Sequence, residues 1–296
     1  MITKTGIFSI VGRPNAGKST LLNALCKTKV SIVSQKPQTT RTRITGIRNI
    51  DDCQLVFMDT PGLHKARNRL GDFMTRVIDD TVSDVDAAIL IVEPVARIGI
   101  PEQMLIDKIK AEKIPAVLVI NKIDTIKEKE ELLEVIKIYS EACEFQQVVP
   151  LSARNRDGVE ALAKILCSMC IESPQLYPDD MLSDQPARAF AAELVREKLL
   201  MCLDKEIPHG VAVEIEQYDI GETLGEISAV IYCERASHKG IIIGKKGDML
   251  KRIGALARTD MEKKLGKKVF LQLWVKVKED WRNNPAQVRN FGYYND

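Results

Sequence analysis

Residues 12–19, Gly12-Arg13-Pro14-Asn15-Ala16-Gly17-Lys18-Ser19, constrain this chain more than any other stretch. They follow a short apolar run, Ile7 to Val11, and lead into Thr20-Leu21-Leu22-Asn23-Ala24-Leu25, whose apolar spacing is helical. Strand, glycine loop and helix start, in that order, fit the phosphate-binding pattern G-x-x-x-x-G-K-[ST]. Such a loop sits at the carboxyl edge of a doubly wound, mostly parallel α/β sheet. A triphosphate concentrates negative charge, so binding it takes many donors converging with no side chains in the way. Gly12 and Gly17 leave the backbone bare, and the first amides of the helix add the positive end of its dipole. Lys18 is placed to reach the β- and γ-phosphates, and Ser19 to give its hydroxyl to Mg²⁺. Arg13, Pro14, Asn15, Ala16 and Thr20 complete the loop's binding set.

Three further segments follow apolar runs. Leu55-Val56-Phe57-Met58 ends in Asp59-Thr60-Pro61-Gly62, then Leu63. An acid at the end of a buried strand can hold Mg²⁺ through its water shell, and the Gly62 amide can meet the γ-phosphate. Val117-Leu118-Val119-Ile120 ends in Asn121-Lys122-Ile123-Asp124. Asp124 can accept from guanine N1–H and the exocyclic amine, a donor pair that adenine lacks, and such a site rejects the wrong base strongly. Lys122 lies along the base plane in this reading. Val148-Val149 leads to Leu151-Ser152-Ala153, whose amides belong near guanine O6. Between the first two elements stands Gln38-Thr39-Thr40-Arg41, a switch segment in which a threonine would bind Mg²⁺ and the γ-phosphate in the GTP state only; its resemblance to switch segments that carry Thr-Thr-Arg favours Thr40 over Thr39.

Together these elements resemble the translation-factor class of GTPases over about the first 170 residues. The ligands implied are GTP, GDP and Mg²⁺. One departure matters: many members carry a water-orienting glutamine where this chain has Leu63. Slow intrinsic hydrolysis is expected, with Lys18, Thr40, Gly62 and Asn15 as the catalytic set. Asn15 stands where several relatives use an asparagine to hold K⁺ beside the phosphates, which would offset transition-state charge. His64 lies close by, but nothing in the sequence pairs it with a carboxylate, and it reads as a solvated loop residue.

The pattern changes after Cys170. Residues 173–186 carry prolines and acids without helical spacing and read as a linker. Beyond it come a helix from Arg188 to Leu203, strands at Val211–Tyr218 and Ile227–Cys233, helices at Lys239–Ile243 and Asp248–Leu265, and a strand at Val269–Val277. Between the two later helices lies Ile242-Ile243-Gly244-Lys245-Lys246-Gly247. This Gly-x-x-Gly loop in a helix–strand–strand–helix–helix–strand order resembles a type II KH RNA-binding domain. There the loop lets a single strand's backbone approach, with lysines facing phosphates. The whole chain is nearly balanced in charge, at +2, but residues 235–282 hold 14 Lys/Arg against 5 Asp/Glu. That is a local footprint for nucleic acid. The expected domains are 1–172, nucleotide-binding; 173–186, linker; 187–282, KH; and 283–296, a tail whose packing is left open.

A guanine-nucleotide domain followed by a type II KH domain resembles the Era family over essentially the whole chain. That resemblance implies binding to 16S rRNA near its 3′ end and assistance to 30S subunit assembly. It also implies peripheral association with the inner face of the membrane. The chain is expected to be a monomer in the cytoplasm. No apolar run approaches membrane-span length, and the start at Met1 lacks a signal-peptide pattern. The seven cysteines are scattered. Cys167 and Cys170 form a C-x-x-C on an expected helix without a second pair, which favours buried helical positions over zinc.

Overall fold

The computed structural model describes residues 2–63, 68–83 and 85–293; His64 and Tyr294 lie outside them. The chain divides into two compact units, each treated by itself.

The first unit is built on one sheet. Its elements are β1 (Lys4–Val11), α1 (Lys18–Leu25), β2 (Ile44–Ile50), β3 (Cys53–Asp59), α2 (Arg69–Ser83), β4 (Ala87–Val92), α3 (Ile100–Ala111), β5 (Ala116–Ile120), α4 (Lys129–Ala142), β6 (Gln147–Pro150), α5 (Val159–Ser168) and β7 (Ile171–Glu172). The strand order is β2-β3-β1-β4-β5-β6, with β7 paired to β1. β2 and β7 pair antiparallel and the rest parallel. The continuous apolar runs follow from burial on both faces. On β4, Ala87, Ile89 and Ile91 pack with Leu21, Leu25, Leu162 and Leu166 of α1 and α5. Ala88, Leu90 and Val92 pack the other way, with Ile106 and Ile109 of α3 and Val135 and Tyr139 of α4. This is the doubly wound sheet expected, and the carboxyl ends of β1, β3, β4 and β5 lie along one edge.

The expected linker is not loose. The Gln54 side chain accepts from Leu176 N and Tyr177 N, at 2.9 Å each, and donates to Tyr177 O at 2.8 Å. Thr5 Oγ1 donates to Pro174 O (3.1 Å), Ile47 N to Leu182 O (3.0 Å) and Ser183 Oγ to Thr45 O (2.6 Å). Residues up to Asp184 therefore belong to the first unit. Backbone groups hydrogen-bonded to buried polar side chains turn a proline-rich stretch into a strap.

The second unit holds α6 (Ala187–Cys202), β8 (Ala212–Ile220), β9 (Leu224–Cys233), α7 (Ala236–Ile243), α8 (Asp248–Leu265), β10 (Lys268–Val277) and α9 (Pro285–Asn290). β9 is central, antiparallel to β8 and parallel to β10. Ile227, Ala229, Ile231 and Cys233 alternate inward, onto Leu194 and Leu199 of α6 and Ile253, Ala257 and Met261 of α8. The tail is packed. Trp281 is fully buried and donates Nε1–H to Gly210 O at 3.0 Å, while Phe291 lies 5.1 Å from it and 5.0 Å from Tyr232.

Residues 32–39 and, among the described ones, 68–73, all expected in the nucleotide domain, fall in this second unit, so the first turn of α2 groups with it. For residues 32–39 the reason is buried charge on α6. The wholly buried Arg196 guanidinium donates to the carbonyls of Gln38 and Thr39 and pairs with Glu193. Glu197 Oε1 accepts from Val33 N at 2.9 Å, and Lys198 bridges Glu197 and Asp260 of α8. A buried guanidinium is tolerable only when its donors are satisfied, and this segment's carbonyls help to satisfy them.

Cys167 and Cys170 are half-buried free thiols, Cys167 near the end of α5 and Cys170 just past it. No cluster of described residues could hold a metal through three His, Cys, Asp or Glu side chains. No helix among them is long and apolar enough to cross a membrane.

Candidate functional site

Lys18 is buried where β1 turns into α1, and its ammonium donates to Gly12 O and Arg13 O, each at 3.1 Å. The loop thus curls around its own lysine. Burial lowers the Lys18 pKa to about 8, with Asp59 opposing the shift. Gly17 takes a left-handed φ of 105°, and a Cβ there would sit 2.1 Å from Asn121 Nδ2. Only glycine fits both demands.

Asp59 ends β3 fully buried. Its Oδ2 accepts from Ser19 Oγ (2.7 Å), Thr40 Oγ1 (3.2 Å) and Ser31 Oγ (3.3 Å), and the Ser19 and Thr40 hydroxyls are 2.9 Å apart. Asp59 Oδ1 is buried with no hydrogen-bond partner. Burial raises the carboxyl pKa, against Lys18 and the three hydroxyls. Two hydroxyls and a buried, unpartnered carboxylate oxygen form a hard-oxygen set suited to Mg²⁺. Thr40 belongs to this set. Thr39 instead donates Oγ1–H to Lys36 O at 2.7 Å.

On the base side, Ser152 Oγ donates to Asp124 Oδ1 at 2.6 Å and orients an exposed carboxylate. Asn121 is engaged at both ends of its side-chain amide. Its Nδ2 donates to Ala16 O (2.8 Å) and its Oδ1 accepts from Ala153 N (3.0 Å). It clamps the phosphate loop to the base loops. The Ala153 amide, expected beside guanine O6, is engaged by that clamp. Thr60 is likewise structural, fully buried and donating to Ile10 O at 3.1 Å. Ile123 opens the single turn Ile123–Thr125, after Lys122 in the left-handed region at φ 65°. Gly62 lies against Pro14, where a Cβ would come within 2.8 Å of its backbone. Leu63 is half-buried against the core that includes β4 and α3. Thr20 is half-buried on α1, and Asn15 is exposed in the left-handed region at φ 66°. Glu93, just past β4, was not among the sequence candidates. It accepts from both Arg13 and Lys122. Its only sequence signal is an acid directly after a wholly apolar strand.

In the second unit, Gly244–Gly247 joins α7 to α8 with Lys245 and Lys246 exposed. Lys246 takes φ 55° and Gly247 φ 82°. Ile242 corrects the expected RNA-contacting set: it is fully buried in the core and supports the loop from beneath. Ile243 is half-buried against the same core, while Ile241 is 49% exposed.

Fold and loops together define a P-loop GTPase domain followed by a KH domain. Residues 7–122 match the family model described as 50S ribosome-binding GTPase, and residues 206–282 match the KH domain model. GTPase Era of Ruminiclostridium cellulolyticum is 46% identical over 99% of this chain and 98% of its own. GTPase Era of Clostridioides difficile is 47% identical over 98% of each. A crystal structure of Era in complex with MgGDPNP and nucleotides 1506–1542 of 16S ribosomal RNA superposes with a TM-score of 0.94, at 39% identity, over 99% of this chain and 100% of that one. An Aquifex aeolicus Era variant bound to GDP·AlF4⁻ gives the same TM-score at 40% identity. The chain belongs to the Era GTPase family, and it is a GTPase.

Proposed function

We propose that this protein hydrolyses GTP as a Mg²⁺-dependent switch, binds 16S rRNA near its 3′ end through its KH domain, and assists 30S subunit assembly. The observation that carries this reading is that one chain holds both the Ser19–Thr40–Asp59 oxygen cluster and the open Gly244–Gly247 loop with two exposed lysines. The solved Era complex with MgGDPNP and 16S rRNA supports it.

In this mechanism Lys18 leaves the Gly12 and Arg13 carbonyls to meet the β- and γ-phosphates. Ser19, Thr40 and, through its water shell, Asp59 would hold Mg²⁺, which would neutralise charge on the phosphate oxygens. The Gly62 amide donates to the γ-phosphate, and Asp124, steadied by Ser152, reads the guanine edge. The Leu63 side chain has no polar atom with which to orient water, so turnover without an activator is slow. The exposed Asn15 amide would help to hold K⁺, which would offset transition-state charge. Equal rates in K⁺ and Na⁺ buffers would remove that part.

Loss of the γ-phosphate frees Thr40 and releases the RNA-competent state. RNA affinity measured with a GTP analogue and with GDP tests this. One common affinity in both states would overturn the switch. The protein works as a monomer in the cytoplasm, with peripheral association to the inner membrane face as the family resemblance implies; flotation with anionic vesicles tests the latter.

A further inference from the structure

One carboxylate joins the phosphate side of the nucleotide site to its base side. Glu93 follows β4 directly. One of its oxygens accepts from an Arg13 guanidinium nitrogen, the other from Lys122 Nζ. Arg13 Nε also lies 3.5 Å from Oε1 of Glu102, a residue of α3 that is 2% exposed. Burial alone would raise the Glu93 carboxyl pKa, but the bonds from Lys122 and Arg13 outweigh it and hold the group low. Glu93 therefore stays ionised at neutral pH, between two cations from loops far apart in sequence. Without it, Arg13 keeps Glu102 as a counter-charge, but Lys122 loses the carboxylate that holds it and the bridge between the two loops is gone.

We propose that Glu93 is a positioning residue for nucleotide binding: it fixes Lys122 for the base and fastens the phosphate loop to it through Arg13. The inference rests on reading these loops as the guanine-nucleotide site. Its strength is open to test because the pair is partly exposed, and an exposed ion pair that did nothing else would contribute little. A charge-assisted bond to two loops at once has a different signature: release of nucleotide requires both loops to loosen, so its loss accelerates dissociation.

The test is stopped-flow release of fluorescent GDP from the full chain, in a double-mutant cycle. Glu93→Gln is expected to speed release about tenfold, as for loss of one charge-assisted contact. On a Lys122→Ala background the same change is expected to add less than about threefold, because the partner is already gone. Glu93→Asp, too short to reach both cations, falls between wild type and Glu93→Gln. KM for GTP rises more than kcat falls, as for lost uniform binding. Two results overturn the proposal: unchanged release in Glu93→Gln, or undiminished acceleration by Glu93→Gln on both Lys122→Ala and Arg13→Ala backgrounds, which marks general support of the fold. Asp124→Asn separates failure of the site reading itself. If that variant keeps its preference for GTP over XTP, the loops are misread, whatever Glu93 does.

Discussion

The chain carries two glycine loops built by opposite means. Gly12–Ser19 is enclosed: Asn121 clamps it, Gly62 abuts Pro14, and Lys18 is buried within it. Gly244–Gly247 is a single turn between α7 and α8 with both lysines in solvent. A compact polyanion calls for an enclosure of the first kind, whereas a polymer whose charge is spread along its length can be met by one loop on an open face. Enclosure brings selectivity; exposure brings tolerance.

The comparison breaks most visibly at Asp124. Asp124→Asn should move base preference from guanine to xanthine by on the order of a thousandfold, because a site built on buried hydrogen bonds rejects a mismatched partner strongly. Competition between GTP and XTP measures it, and retained GTP preference would contradict the assignment. At the open loop, Gly247→Asp should reduce RNA affinity by roughly a hundredfold with GDP binding intact. A carboxylate there would face the phosphate backbone, in a loop position at φ 82° that side-chain-bearing residues rarely adopt. Filter binding with single-stranded rRNA checks it; undiminished affinity in a folded variant would remove the loop from the RNA site.

A smaller effect concerns the support of the open loop's unit. Trp281→Phe keeps most of the buried ring but strands Gly210 O, and it should lower stability by about 1–3 kcal/mol. Urea unfolding followed on the second unit would show it. The subtlest contrast is protonic. Lys18, lowered to about 8, is partly neutral in the free protein at pH 8.5. Phosphates favour its ammonium form, so GDP binding without Mg²⁺ at that pH should take up roughly half a proton to one proton. At the open loop both lysines stand in solvent, without burial of this kind. Calorimetry in two buffers of different ionisation enthalpy distinguishes the cases, and proton release would reverse the sign.

What could be read from sequence divides along the same line. Residues whose role depends on neighbours in the chain were legible. Lys18, Ser19, Asp59, Asp124 and the Gly244–Gly247 turn each stand at the end of a periodic element, and Thr40 joins the Asp59 cluster while Thr39 bonds to Lys36 O. Residues whose role is set by a partner from elsewhere were not. Asn121 and Thr60 resemble ligand-binding residues by position, yet they tie loops and strands together. Ile242 sits in a run of three isoleucines, where one turn of helix decides between core and surface. Glu93 has no motif around it, and its importance lies in two distant cations. Arg196, on a helix of ordinary amphipathic pattern, gives no sign that its charge is satisfied by backbone carbonyls of residues 38 and 39.

The strap of residues 174–183 has a consequence for the leash between the two units. Ser183 is fastened to Thr45, and α6 begins at Ala187, so the slack is about three residues and not fourteen. The strap bonds lie wholly within the first unit, so glycine and serine added after Asp184 would lengthen the connection to α6 while leaving every one of them in place.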